Sequence, residues 1–122
     1  MVPIELKSGP VYIDRAELIG SLEGLSAEFV ILAMEGMDAE AVARELLASG
    51  ADLVCSGRPF TEAVKAVGDV PVSIDRTCLS VPELPAAVRL EVLRQALESS
   101  SGAQFSPAEA VVEAGGAVLL LD

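Results

Sequence analysis

The strongest constraint on this chain is the alternation of two patterns between Phe29 and Arg76. Apolar runs at Phe29 to Met34, Ala51 to Cys55 and Val70 to Ile74 are separated by two stretches with helical spacing. This reads as strand, helix, strand, helix, strand, the grammar of an α/β domain built on a parallel sheet. In an open parallel sheet, ligands bind where the carboxyl ends of strands meet the following helices. The junctions Met34-Glu35-Gly36, Ser56-Gly57-Arg58 and Asp75-Arg76 are therefore expected side by side on one edge.

The rest of the composition fits one such domain. The 122 residues suffice for a single two- or three-layer core without staples. Hydrophobic residues make up 52% but aromatics only 3%, so Ala, Val, Leu and Ile must fill an interior suited to strands buried on both faces. The longest apolar runs, Phe29 to Met34 and Ala117 to Leu121, fall far short of the roughly 18 residues of a membrane span. The opening MVPIELKSGP lacks the basic and apolar regions of a signal peptide, so a cytoplasmic protein with no membrane contact is expected.

Charge and residue absences exclude more. Nineteen acidic against eight basic residues give −11, with no basic stripe, so no direct nucleic-acid contact is expected. Histidine is absent, which removes Ser-His and Cys-His nucleophile pairs, His-based zinc or iron sites and a His-ligated corrinoid. Two cysteines, Cys55 and Cys78, do not make a disulfide framework and read as buried or edge thiols without chemistry. No catalytic residue, metal site or cofactor is specified.

Taken in order, residues 1–10 read as an extended arm or edge strand and Val11 to Ile13 as a first core strand. Ala16 to Leu22 is a short helix with Leu18, Ile19 and Leu22 on one side. Asp38 can cap a helix from Ala39 to Ser49 with a stripe of Val42, Ala43, Leu46 and Leu47, stopped by Gly50. Pro59 suits the first turn of a helix reaching Val67. Ser80-Val81-Pro82-Glu83 matches a capping box and opens the longest predicted helix, to about Glu98. That helix is apolar over most of its circumference, which calls either for a second covering helix or for a homodimer through residues 82–98. Ser106-Pro107-Ala108-Glu109 is a second capping box, and Ala117 to Leu121 a final buried strand.

At the junctions, Ser56, Gly57, Arg58 and Thr61 combine hydroxyls, a flexible turn, a guanidinium and a helix start with free N–H groups. That set suits a carboxylate or phosphate. The competing reading is a helix cap whose Arg58 pairs with Asp75 or Glu35. Asp75 and Arg76 form a second candidate junction and Glu35 a third. Asp14, Glu35 and Asp75 could converge on a divalent cation, but nothing in their spacing specifies one.

The phrase Ser49-Gly50-Ala51-Asp52-Leu53-Val54-Cys55-Ser56-Gly57, followed by Thr61-Glu62 and Val70-Pro71-Val72, resembles the N-terminal sensor domain of propionate-catabolism-type transcriptional regulators. The resemblance implies a Rossmann-like lobe binding a small organic acid, with Ser56, Gly57, Arg58 and Thr61 at the ligand turn. Here Arg58 follows Gly57 rather than preceding it, and Pro59-Phe60 interrupt the motif. A shorter stretch, Gly50-Ala51-Asp52 with Val70 to Asp75, resembles the pterin-binding barrels of dihydropteroate synthase and its relatives, which implies an Asp75 contact to a pterin.

The expected molecule is thus a single α/β domain over residues 1–122, three-layered and doubly wound, flavodoxin- or Rossmann-like, with a mainly parallel sheet of about five strands. Its expected function is that of a sensor or regulatory module for a small anionic ligand. The alternatives are a pterin or one-carbon enzyme, whole or in part, and an assembly subunit without a ligand.

Overall fold

The computed structural model describes residues 2–7, 12–59 and 80–121. A five-stranded sheet carries the fold, in the order β1 (Val2–Leu6), β3 (Phe29–Met34), β5 (Ser80–Arg89), β4 (Leu53–Pro59), β7 (Val118–Leu121). β1 is parallel to β3 and β4 to β7, while β5 is antiparallel to both β3 and β4. Four strands therefore run one way and the central strand runs the other. A two-residue ribbon joins β2 (Ile13–Asp14) to β6 (Gln104–Phe105).

Register explains the layers. Ile4, Leu32, Ala86, Cys55 and Leu120 stand in one row across the sheet, and Ile31, Ala87, Val54 and Leu119 in the next. Because successive side chains alternate between faces, the two rows feed two cores. The larger core joins the first row to α1 (Arg15–Leu22), α3 (Leu90–Ser99) and α4 (Pro107–Glu113). The smaller joins the second row to Val42 and Leu46 of α2 (Glu40–Ser49). This is the three-layer, doubly wound α/β architecture that the alternating pattern implies, on a mixed sheet in which two of the four pairings are parallel and two antiparallel.

Local chemistry sets the helix ends. The Asp14 carboxylate accepts from Glu17 N–H at 3.1 Å and starts α1. Asp38 accepts from Glu40 N–H at 3.0 Å, just ahead of α2. Gly50 closes α2 in the left-handed region at φ 73°, a conformation open to glycine without a Cβ clash. Ser106 sits at the N-cap of α4, yet its hydroxyl makes no cap bond. In α1, Leu18 and Leu22 are buried, but Ile19 is 46% exposed, and in α2 Leu47 is 65% exposed; both apolar stripes are narrower than expected.

The main correction concerns residues 80–98, which form no single helix. Ser80–Arg89 is the central strand, and only Leu90–Ser99 is helical. Pro85 explains part of this: inside a helix it would remove a backbone hydrogen bond and clash with the preceding turn. The apolar surface that called for a covering helix or a dimer is instead two surfaces. Leu84, Ala86, Ala87 and Val88 are buried between the helical layers, and Leu90, Leu93, Ala96 and Leu97 are the buried stripe of α3. An interface through one 82–98 helix has no such helix to use.

β4 also departs from expectation. It continues through Ser56, Gly57, Arg58 and Pro59, so Pro59 ends a strand rather than starting a helix. The expected helix to Val67 and strand Val70 to Ile74 lie outside the described residues, apart from Pro59. No helix among the described residues is long and apolar enough to cross a membrane.

Candidate functional site

The carboxyl ends of β1, β3, β4 and β7 share one edge of the sheet, and β5 enters from that edge at Ser80. Glu35 and Gly36 form the turn after β3, closed by a 3.2 Å bond from Met37 N–H to the Met34 carbonyl. Gly36 has φ 84°, so this turn requires a residue without Cβ. Glu35 itself is exposed.

Ser56 and Gly57 are half-buried at the same edge, paired with Glu83 and Pro82, and Arg58 stands opposite Val81. Thr61, Asp75 and Arg76 lie outside the described residues. The two described junctions are not neighbours, because β5 runs between β3 and β4. Nor is Ser56 to Pro59 a strand-to-helix turn: its backbone is engaged with Ser80 to Glu83. The free N–H groups of a helix start, which made this segment attractive for an anion, are not what residues 56–59 offer.

A bulge marks the place where β4 changes partners. Cys55 pairs with Ala86 and Ser56 with Glu83, leaving Leu84 and Pro85 unopposed. Bulges kink and re-aim strands at functional edges. Beneath it lies a cavity of about 10 Å³ lined by Leu53, Cys55, Glu83, Leu84, Ser106 and Ala108 among others. Cys55 is buried, and its thiol pKa is pushed up from 9.0 to about 11. Burial is the main cause; the nearby Glu83 charge adds to it, while a backbone hydrogen bond at Glu83 works the other way. The thiol is therefore neutral at pH 7 and a poor nucleophile.

Two larger clefts flank this edge and α1. One of about 500 Å³ runs between α4, β7 and the start of β5, walled by Val81, Pro82, Val112, Val118 and Leu120, with Tyr12, Glu109 and Glu113 among its polar lining. Its apolar wall and acidic lining suit an uncharged, largely apolar occupant better than an anion. The other, about 370 Å³, lies between α1 and α3 and contains Arg15 and Arg94. Both guanidinium groups are already hydrogen-bonded within the fold. Arg15, at the start of α1, donates to the Leu97 carbonyl and to Ser100 Oγ at 2.6 Å, at the end of α3. Arg94, on α3, donates to the carbonyls of Leu25 and, at 3.3 Å, Leu22, at the end of α1. Each arginine thus caps the carboxyl end of the other's helix, where orphan carbonyls and the helix dipole favour a cation.

Sequence reasoning missed this pair, because its members lie far apart in the chain and neither stands in a recognisable motif. It also missed the α4–β7 cleft, which exists only once β5 is a strand. Pro85 argued against a helix there, though not for a strand. Among the described residues no three Cys, Asp or Glu side chains converge on a common metal position.

No protein-family model and no curated protein sequence matches the chain. Solved structures do. The chain is similar to 4-diphosphocytidyl-2C-methyl-D-erythritol synthase from Anaerococcus prevotii, with a TM-score of 0.67 and 12% identity, over 88% of this chain and 55% of that one. It is similar to the bifunctional IspDF from Campylobacter jejuni (TM-score 0.65, 17% identity, 88% of this chain and 29% of that one). For 2-C-methyl-D-erythritol 4-phosphate cytidylyltransferase from Thermus thermophilus the values are 0.63, 18%, 88% and 58%. At these identities the likeness shows the fold alone, and the chain spans little more than half, or less, of each of these proteins. The comparison replaces both resemblances drawn from short motifs. None of these structures is a propionate-type sensor domain or a pterin-binding barrel, and the sensor reading falls with both resemblances. The Gly-Ala-Asp phrase is the connection from the end of α2 into β4.

Proposed function

We propose that this chain is a cytidylyltransferase-related lobe, part of an enzyme of that type, and that it engages a cytidine nucleotide or a phosphorylated polyol at the carboxyl edge of its parallel strands. The observation that supports this is the sheet order β1-β3-β5-β4-β7 with one reversed central strand, in a chain whose similar solved structures include 2-C-methyl-D-erythritol 4-phosphate cytidylyltransferases. In open α/β sheets this edge is where ligands bind. Ser56, Gly57 and Arg58 on β4 are the contacts proposed for the phosphate-bearing end, with Glu35 at the next parallel strand and Thr61, Asp75 and Arg76 further along the chain. A guanidinium suits bidentate contact with phosphate, and a hydroxyl suits one of its oxygens. The lobe supplies positioning and charge complementarity, with the reacting groups completed by the remainder of such an enzyme.

The test is a thermal-shift titration with CTP, CDP and 2-C-methyl-D-erythritol 4-phosphate, with and without Mg²⁺. Binding to the native state alone raises the melting temperature by mass action. A rise with one of these compounds that Arg58→Ala abolishes is the expected result; no response to any of them defeats the reading.

A second reading, a lobe that serves assembly and binds no ligand, draws on one observation. The larger of the two clefts, about 500 Å³, is walled mainly by apolar residues and has Glu109 and Glu113 among its lining, a setting unfriendly to phosphates. Loss of the ligand response together with a stable multimer would favour it.

A further inference from the structure

We draw no further inference here: the strongest candidate, the cleft of about 500 Å³ between α4, β7 and the start of β5, is an unpartnered apolar face with the exposed carboxylates of Glu109 and Glu113 at its lining, and nothing in the structure shows what covers it.

Discussion

The reciprocal arginines between α1 and α3 offer the sharpest test of how this fold is held together. Removing the Arg15 guanidinium while keeping its stem, as in Arg15→Met, deletes both charged hydrogen bonds at the end of α3 and leaves there the 3.3 Å bond from the Ser100 hydroxyl to the Leu97 carbonyl. Hydrogen bonds from charged donors contribute about 1.5–3 kcal/mol when buried. Arg15 is only half-buried, so solvent reduces this to about 1–2 kcal/mol. Arg94 is exposed, and Arg94→Met should cost about 0.5–1 kcal/mol through Leu22 and Leu25. For a domain of this size 1 kcal/mol is roughly 4 °C in melting temperature, so the expected losses are about 4–8 °C and 2–4 °C. Urea unfolding of both single variants and the double variant gives the energies directly, with m unchanged if the native state stays compact. Since both clamps hold the same helix pair, the double variant should deviate from additivity by roughly 0.5 kcal/mol. A melting temperature for Arg15→Met within about 1 °C of the parent, or a larger effect for Arg94→Met, would refute the mutual-capping account.

Further expected outcomes follow from packing and ionisation. Gly116→Ala places a Cβ 2.6 Å from Val111 Cγ1 and 3.1 Å from the Val111 carbonyl, so calorimetry should show a loss of about 1–3 kcal/mol, partly restored by adding Val111→Ala. Leu93→Ala, at a position with no exposure in α3, should cost about 2–4 kcal/mol in chemical denaturation. Because folding raises the Cys55 pKa from 9.0 to about 11, its contribution to stability is fully present below pH 9 and is lost as pH rises toward 11. Cys55→Ala should flatten that part of the stability profile in urea titrations at successive pH values. In the native Cys78→Ser protein, a thiol reagent at pH 8 should label Cys55 only at the rate of opening, which denaturant accelerates.

The sequence made some elements plain and concealed others for identifiable reasons. Phe29–Met34 and Glu40–Ser49 were legible because a buried apolar run and a 3.6-residue stripe are unlike each other, and Asp38 and Gly50 punctuate the helix. Residues 80–89 were not, because a strand buried on both faces has no alternation, and Ser80 to Glu83 mimics a capping box. The interior prolines contradicted that helix, but proline inside a central strand is as unwelcome as in a helix, so local propensity could not decide. Of the candidate site, Glu35 and Ser56 to Arg58 do reach one edge of the sheet, as the strand ends implied. What the sequence could not convey is that β4 runs on through Pro59 under the pull of ten residues of β5.

That central strand also governs the order in which the molecule can assemble. β3 and β4 never touch along their length; the slot between them is filled by a segment that begins some fifty residues after β3. Until Ser80 to Arg89 arrives, the first half of the chain holds the β1–β3 pair and a lone β4, with the edges that β5 will join unsatisfied. Closure depends on pairings distant in sequence, which slow folding through the entropy of closing long loops. During synthesis, the nascent chain would therefore remain open, and vulnerable to intruding strands, until nearly three-quarters of it had been made.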